Sequence, residues 1–326
     1  MRVTVLGAGA WGTTLGLLLQ RGQHHVTLWG HDAQHLEEMH HSGGNARYLP
    51  GVTVPRDWTY EADLGRAVEG SEAVIVAVPS KAIRTIAATL ADYRGTVISV
   101  TKGIECETGL TMCGVLQAAA PGARVAAMSG PTLALEVAKG VPTAIVAASQ
   151  DPDTAQRVQQ LFHSVPFRVY TSSDRIGVET GGALKNVVAI AAGVGDGFAF
   201  GDNSKAALLT RGIVEIRRLG VACGALPETF AGLSGLGDLA VTCFSRLSRN
   251  RSLGERLGRG EKLQDILSAS SSVAEGYPTA RAAFELARRL KVTTPIIDEV
   301  HAILYQGKSV AKALQDLISR ESKPEH

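Results

Sequence analysis

Lys185 lies where a charged side chain is unusual. It and Asn186 are the only polar side chains in the apolar segment GGALKNVVAIAAG, residues 181–193. An ammonium group among apolar neighbours is unfavourable unless it is paired or has a chemical task. Burial also lowers the pKa of a lysine and makes it available for proton transfer near neutral pH. We interpret Lys185 as a candidate acid or base; the alternative is a lysine on a helix face that reaches the surface.

A glycine-rich loop near the start of the chain indicates a bound dinucleotide. In VLGAGAWGTTLG (residues 5–16), Gly7, Gly9 and Gly12 have the spacing G-x-G-x-x-G directly after an apolar run. The first glycine permits a tight turn, the second lets a pyrophosphate approach the backbone, and the third allows close helix–strand packing. The helix that begins here offers N–H groups and a favourable dipole to an anion. The alternative is a glycine turn with only a structural role.

Two further segments carry polar side chains suited to a small anionic substrate. SRLSRNRS (residues 245–252) combines three arginines with serine, asparagine and the start of a predicted helix. Guanidinium groups and free backbone N–H groups suit a phosphate, although such a run can also be a solvated surface. Asp238 lies in the glycine-rich segment AGLSGLGDLAVTC, residues 231–243. Its carboxylate could orient a lysine ammonium group, accept from a hydroxyl, or cap a helix.

The elements that must position these residues alternate in the first half of the chain. Short β-branched runs predict strands at Val3–Leu6, Val26–Trp29, Ala73–Val78, Thr96–Val100, Val125–Met128, Thr143–Ala147 and Phe167–Tyr170. Helical patterns lie between most of them, at Leu15–Arg21, Ile83–Tyr93, Leu110–Ala119 and Thr154–His163. Apolar strands that alternate with helices indicate a mainly parallel sheet covered on both faces.

Strand signals stop after YTSSD (residues 170–174), and the periodicity becomes helical. Helical patterns cover 175–195, 203–222, 252–258, 278–290 and 296–306. The predicted fold class is therefore α/β, with an N-terminal doubly wound Rossmann-type sheet and an all-helical C-terminal domain. We predict a dinucleotide-binding domain at residues 1–173 and a substrate-binding and catalytic domain at residues 174–326.

Ligands of such a sheet bind at the carboxyl ends of its strands, and three predicted strand ends carry unusual residues. VPS follows the third strand, Lys102 follows the next one in SVTKGIE, and SGPTLALE sets Gly130, Pro131 and Thr132 at a helix start. A proline near the first helical position and a threonine hydroxyl suit an anion or hydroxyl group. Lys102 could also be a solvated loop lysine, but its position at the crevice favours a function.

Composition excludes several classes of protein. The formal net charge of the 326 residues is +2, so no bulk attraction to nucleic acid or a membrane surface is implied. The apolar stretch Val187–Val194 is far shorter than the ~20 residues needed to span a bilayer, so no membrane insertion is expected. The four cysteines form no C-x-x-C pair and no cluster with metal-ligand spacing, which favours free thiols and no metal. An apparent strand already at Arg2 argues against a signal peptide, and we expect a cytoplasmic protein.

A dinucleotide loop, an isolated lysine and a second anion site together predict an oxidoreductase that acts on a small phosphorylated substrate. The nicotinamide would supply the hydride chemistry, while the protein supplies orientation and a proton.

The chain resembles NAD(P)-dependent glycerol-3-phosphate dehydrogenases of the bacterial biosynthetic type. The motifs GAGAWGT, NARYLPG, VPS, TKGIE, SGPT, GGALKN, GLGDL, SRNR and EGY occur in family order from residue 7 to residue 277. The resemblance implies interconversion of dihydroxyacetone phosphate and sn-glycerol 3-phosphate with NAD(P)H, a step towards phospholipids. It also implies a small phosphorylated substrate and no nucleic-acid partner, with a homodimer left open.

The resemblance assigns roles residue by residue. Lys185 would be the acid or base that protonates the ketone oxygen, with Lys102 and Asp238 also in the catalytic group. The implied substrate contacts are Lys102, Gly130, Thr132, Lys185, Asp238, Ser248, Arg249 and Asn250. The implied cofactor contacts are Gly7, Gly9, Ala10, Trp11, Gly12, His31, Lys102, Ala134, Arg249, Val273 and Glu275. Trp11 would shield hydride transfer from water, or only pack in the domain interface.

The second strand bears on the choice between NADH and NADPH. NAD-specific domains usually place an acidic residue about 20 residues beyond the glycines. Here HVTLWGHD puts Gly30 at that position, and we predict that Asp32 caps the next helix rather than folding back onto the ribose. His31 could then donate to a 2′-phosphate, so NADPH should be used at least as well as NADH.

Two alternatives of different kinds stay open on the sequence. One is another two-domain reductase, of the β-hydroxyacid or ketopantoate type, which gives no reason for the SRNRS cluster. The other is a sensor that binds NAD(P)H without turnover, which would not need an isolated lysine between two ligand sites.

Overall fold

The computed structural model describes residues 1–269 and 274–321. The strands within these ranges are β1 (Arg2–Leu6), β2 (His25–Trp29), β3 (Gly44–Asn45), β4 (Leu49–Thr53), β5 (Thr59–Glu61), β6 (Ala73–Val76), β7 (Thr96–Ser99), β8 (Arg124–Ser129), β9 (Thr143–Ala148) and β10 (Phe167–Ser172). The helices among these strands are α1 (Ala10–Arg21), α2 (Ala33–Ser42), α3 (Leu64–Val68), α4 (Ile83–Thr89), α5 (Met112–Ala119), α6 (Ala134–Ala138) and α7 (Pro152–Phe162).

Eight of these strands form one twisted-sheet layer in the order β10-β9-β8-β7-β6-β1-β2-β5. All neighbours are parallel except β8 and β9, which pair antiparallel. The strand order reverses between β1 and β6, and ligands of open α/β sheets bind at such a point. The predicted, mainly parallel sheet is confirmed, with one antiparallel pair that the sequence analysis did not predict.

Helices cover both faces of the sheet, as the alternation of its buried side chains requires. In β6, Ala73 and Ile75 contribute to one core cluster, while Val74 and Val76 contribute to another on the opposite face. Successive side chains of a strand point to opposite faces, so a strand buried on both faces is apolar throughout. This explains why the central strands appear in the sequence as continuous apolar runs.

The second half of the described chain contains helices. They are α8 (Arg175–Gly197), α9 (Asp202–Ala222), α10 (Asp238–Phe244), α11 (Arg249–Gly258), α12 (Leu263–Ser268), α13 (Gly276–Arg289), α14 (Pro295–Tyr305) and α15 (Val310–Ile318), with a 3₁₀ turn at Pro227–Ala231 and a π-helical turn at Leu233–Gly237. The central helix α8 is buried along most of its length. The fold class predicted from the sequence is confirmed.

Helices α8 and α11 approach each other more closely than side chains would allow. A Cβ atom at Gly193 would lie 1.9 Å from the carbonyl oxygen of Arg251, and one at Gly254 would lie 1.9 Å from that of Ile190. Gly197 and Gly258 make a similar contact one turn further on. The two helices therefore touch backbone to backbone along glycine stripes.

Several short elements were not predicted. They are the strands β3, β4 and β5 and the helices α3, α10, α12 and α15, whereas α2 follows the predicted cap at Asp32 and α6 begins just after the helix start predicted at residues 130–132. Among helices of the described residues, none is both long and apolar enough to cross a membrane.

Candidate active site

The glycine loop connects β1 to α1 and leaves an open space in front of the helix. Gly7 has φ of +127°, and a Cβ atom there would lie 2.4 Å from the carbonyl oxygen of Ala77. A Cβ atom at Gly12 would lie 1.9 Å from the oxygen of Gly7, whereas one at Gly9 would meet nothing within 4 Å. Two glycines are thus required for packing, and the third borders open space. Gly9 is also the N-cap residue of α1, so the N–H groups of Ala10 and Trp11 face this space without a capping side chain.

Asn45 holds the glycine loop from behind. Its Nδ2 donates to the carbonyl oxygen of Ala8 at 3.0 Å and to Oγ1 of Thr13 at 2.9 Å. Its Oδ1 accepts from the backbone N–H of Tyr48 at 3.2 Å. Asn45 is 1% exposed, so these bonds form without competition from water. The motif NARYLPG was part of the resemblance, but no role was predicted for this asparagine.

The end of β2 has the predicted arrangement. Asp32 caps α2 by accepting from the backbone N–H of His35 at 3.1 Å, which confirms the predicted cap. That hydrogen bond, together with the charge of Arg47, holds the pKa of Asp32 below its usual value. His31 is exposed, and a Cβ atom at Gly30 would lie 3.2 Å from Cβ of Ala8. Gly30 therefore lies directly against the glycine loop.

A carboxylate between two lysines forms the centre of the crevice. Asp238, the first residue of α10, accepts from Nζ of Lys185 through Oδ1 and from Nζ of Lys102 through Oδ2, both at 2.5 Å. Nζ of Lys185 also donates to Oγ1 of Thr242 at 2.5 Å, and that hydroxyl donates to the backbone oxygen of Asp238 at 2.6 Å. The three candidates Lys102, Lys185 and Asp238 thus meet, although they come from the loop after β7, from α8 and from α10. Thr242 was missed; its signal was a position one helical turn after Asp238.

Burial changes the chemistry of Lys185. Its pKa is lowered to about 8: removal from water is the largest cause, the carboxylate of Asp238 opposes it, and the charge of Lys102 adds to the lowering. A lysine in this state can give or take a proton near neutral pH.

The end of β8 lies against the middle of α8. A Cβ atom at Gly182 would lie 2.4 Å from Oγ of Ser129 and 3.8 Å from Cδ of Lys102. Gly130 packs against Ile145, and Oγ1 of Thr132 donates back to the oxygen of Gly130 at 3.2 Å. Small residues therefore let the strand end approach the helix that carries Lys185.

The SRNR segment begins α11, and its polar residues divide between two tasks. Ser248 caps the helix by accepting from the N–H of Arg251 at 3.2 Å. Arg251 pairs with Asp196 at 2.6 Å and belongs to the helical scaffold rather than to the crevice. Asn250 donates to Oδ1 of Asn186 at 2.9 Å and accepts from the N–H of Gly276 at 2.8 Å. The arginines therefore do not form one cluster, and the predicted contact through Asn250 competes with these internal bonds.

Arg249, the first residue of α11, is exposed. Surrounding protein lowers its pKa, and the charge of Glu275 partly offsets this effect. Glu275 precedes α13 and accepts from the N–H of Ser80 at 3.0 Å and from its Oγ at 2.6 Å. Burial raises the pKa of Glu275, while the bonds from Ser80 lower it. Glu275 thereby connects the helical half to the end of β6.

The remaining predicted contacts lie beside the glycine loop or outside the described residues. The oxygen of Ala134 accepts from Oγ1 of Thr14 at 3.1 Å, which joins α6 to α1. Trp11 is half-buried and packs against the core of the first half together with Ala134. Val273 lies outside the described residues. Among the residues that are described, no group of three His, Cys, Asp or Glu side chains is arranged to hold a metal ion.

Comparisons with known proteins agree over the whole chain. The families "NAD-dependent glycerol-3-phosphate dehydrogenase" N-terminus and C-terminus match residues 2–155 and 174–315. The chain is 46% identical over 331 residues to a glycerol-3-phosphate dehydrogenase (NAD(P)+) of Chlorobium phaeobacteroides strain BS1, covering 100% of this chain and 99% of the relative. It resembles the crystal structure of glycerol-3-phosphate dehydrogenase from Coxiella burnetii with a TM-score of 0.94 and 36% identity, covering 98% of this chain and 99% of that one.

A ketopantoate reductase from Ralstonia eutropha JMP134 shares the fold alone, at 18% identity and a TM-score of 0.64, covering 96% of this chain and 100% of that one. That likeness gives no support to the alternative reductase activity considered above.

Proposed function

This chain belongs to the NAD-dependent glycerol-3-phosphate dehydrogenase family, and from that membership we propose that it interconverts dihydroxyacetone phosphate and sn-glycerol 3-phosphate. NADH or NADPH is the cofactor. The observation that carries the proposal is the carboxylate of Asp238, which accepts from the ammonium groups of Lys102 and Lys185. Four free cysteines support a reducing, cytoplasmic location. A homodimer stays open.

The cofactor site fits this assignment. The open space at Gly9 and the free N–H groups at the start of α1 suit a pyrophosphate, which a side chain at Gly9 would obstruct. When bound, the nicotinamide supplies or accepts the hydride. Trp11 and Ala134 pack against the same core cluster. We assign these two residues, together with His31 and Glu275, to the cofactor, as the resemblance implies.

Lys185 is the proton donor in the reduction. Its Nζ gives a proton to the carbonyl oxygen of the ketone as the carbonyl carbon receives a hydride, so the C=O bond becomes a secondary alcohol. Lys185 is left neutral and recovers a proton from solvent. Asp238 and Thr242 fix the direction of Nζ through their bonds of 2.5 Å. In the reverse direction the neutral amine removes the hydroxyl proton.

The substrate phosphate is assigned to the start of α11. Ser248 caps the N–H of Arg251, so the earlier N–H groups of the first turn stay available to an anion. Arg249 adds a guanidinium group that can donate two parallel hydrogen bonds to a phosphate. We assign the rest of the substrate to Lys102, Gly130 and Thr132, which follow the ends of β7 and β8.

The test is the oxidation of NADPH in the presence of dihydroxyacetone phosphate. Lys185→Ala should lower kcat by about 10²–10⁴-fold, the usual contribution of a positioned acid or base. The Kd of NADPH should stay unchanged. Lys205→Ala is the matched control, since Lys205 pairs with Asp196 at 2.6 Å in the same helical half but outside the crevice.

More than half of the wild-type kcat in Lys185→Ala would remove Lys185 from the mechanism. Binding of NADPH by the wild type without any turnover would favour the sensor instead.

A further inference from the structure

A short hairpin fixes a surface turn to the glycine loop. Strands β3 and β4 are joined by residues 46–48, and Asn45 at the end of β3 is the residue whose amide bonds to Ala8 and Thr13 of the loop. The N–H of Tyr48 donates back to Asn45 and closes the turn. Asn45 therefore links the turn to the loop by direct hydrogen bonds.

Arg47 lies in the middle of this turn and extends to the end of β2. Its Nη1 is 3.4 Å from Oδ2 of Asp32, and its guanidinium carbon is 5.0 Å from the centre of the Tyr48 ring. Its side chain is 52% exposed. Stacking on an aromatic ring restricts a guanidinium group without neutralising it. Arg47 is thus a positioned cation whose partner is exposed and easily exchanged.

The end of β2 is where a Rossmann domain contacts the adenosine ribose. Gly30 provides no carboxylate there, and the carboxylate of Asp32 is turned away to cap α2. Ion pairs between exposed side chains are weak, so a doubly charged phosphate can displace Asp32 from Arg47.

We propose that Arg47 binds the 2′-phosphate of NADPH, and that the β3–β4 hairpin is the element that sets cofactor preference. The inference rests on the proposed function only in that the glycine loop takes a dinucleotide. It adds a residue that the sequence analysis did not select, and His31 becomes a second donor rather than the main one.

The test measures binding in the full chain by fluorescence titration, without substrate. The probes are NADPH, NADH and adenosine 2′,5′-bisphosphate, which carries the 2′-phosphate but no nicotinamide. Arg47→Ala should weaken the binding of NADPH and of the bisphosphate by about tenfold or more and leave the binding of NADH nearly unchanged, since only NADPH and the bisphosphate offer a 2′-phosphate to the guanidinium group. The affinity of Arg47→Lys for NADPH should fall between those of the wild type and Arg47→Ala, because an ammonium group keeps the charge but cannot donate two parallel hydrogen bonds to a phosphate.

Two controls separate this effect from general changes. Arg259→Ala removes an arginine that is 63% exposed and paired with Glu255 on α11, and it should alter none of the three affinities. Asp32→Asn keeps an oxygen for the helix cap but removes the competing charge, so NADPH should bind more tightly and NADH equally well.

An equal loss of affinity for NADPH and NADH in Arg47→Ala, or no loss of affinity for NADPH, would overturn the inference. So would a loss of NADH affinity in Asp32→Asn, because Asp32 would then contact the ribose. Failure of the wild type to bind any of the three probes would overturn both this inference and the proposed function, whereas binding that Arg47→Ala leaves intact would overturn this inference alone.

Discussion

At the scale of single residues, Lys102 and Lys185 share Asp238 as a partner but differ in their exposure to water. Both ammonium groups lie 2.5 Å from its oxygens, but the side chain of Lys102 is 22% exposed and that of Lys185 is 7% exposed. Water can therefore still solvate Lys102, while Lys185 depends on Asp238 and Thr242. Because desolvation disfavours the charged form, Lys185 gives up its proton more easily than a solvated lysine does.

The pH dependence of the reaction should report this lysine. With a pKa of about 8, Lys185 is protonated below that pH, so kcat/KM for ketone reduction should fall as the pH rises above about 8. For oxidation of the alcohol, kcat/KM should rise through the same range, because the neutral amine is then required. Asp238→Asn removes the charge that raises the pKa of Lys185, so in this variant the fall of kcat/KM for ketone reduction should begin at a lower pH. Rate profiles in both directions check this, and an unmoved limb in Asp238→Asn would assign the titration to another group.

The sequence was informative about residues that are unusual in their own segment. Lys185 among apolar neighbours, Asp238 in a glycine-rich turn and Lys102 at a strand end could all be selected without a structure. Asn45 and Arg47 could not, because their contacts join segments whose mutual position depends on how the hairpin folds against the loop.

At the scale of elements, the decisive contact is that of α8 with α11. These helices carry Lys185 and Arg249, and glycines let their backbones touch. Long helices with strong apolar periodicity, such as α8 and α9, were predicted within a few residues of their ends. Elements of five or six residues, such as α3 and α12, are too short to show a period and form because tertiary contacts favour them.

Two alanine substitutions on α8 should separate the effect of this contact on stability from the effect of helix propensity. Gly193→Ala places a Cβ atom 1.9 Å from a carbonyl oxygen of α11, and it should lower the free energy of unfolding by about 1–3 kcal/mol or more. Gly195→Ala, two residues on, meets only a ring carbon of Phe200 at 3.8 Å and should raise it by about 0.5–1 kcal/mol. Urea unfolding of both variants gives the comparison. Equal effects in the two variants would mean that the helices can separate without cost.

At the scale of the whole molecule, buried carboxylates join elements that are distant in sequence. Glu179 of α8 accepts from Oγ1 of Thr111 at 2.9 Å and from the N–H of Cys113 at 2.8 Å, which ties the helical half to the start of α5. Glu215 of α9 accepts from the N–H of Ile296 at 2.9 Å and so holds the start of α14. Burial raises the pKa of both groups, to about 7 for Glu215.

Stability should therefore decrease as the pH rises. The folded chain holds a proton on Glu215 up to about pH 7, whereas the unfolded chain releases it near the usual pKa of 4.5. Between these values the folded state binds more protons, so this group should lower the free energy of unfolding by up to about 3 kcal/mol as the pH rises from 4.5 to 7. Glu215→Gln, which resembles the protonated form, should flatten this dependence, while Glu228→Gln at an exposed position should not. Urea midpoints at pH 5 and pH 8 measure it, and parallel curves for all three proteins would contradict the assignment.

The glycine contact between α8 and α11 has a consequence for selectivity. Lys185 and the start of α11, the proposed proton donor and the proposed phosphate site, belong to two helices that cannot slide or separate without losing that contact. We therefore expect the gap between the two proposed sites to keep a constant width. Helices α8 and α11 would then select substrates by the distance from the carbonyl oxygen to the phosphorus atom. A ketone whose phosphate lies one carbon further away can satisfy only one end, and we expect such compounds to be rejected by length rather than by charge.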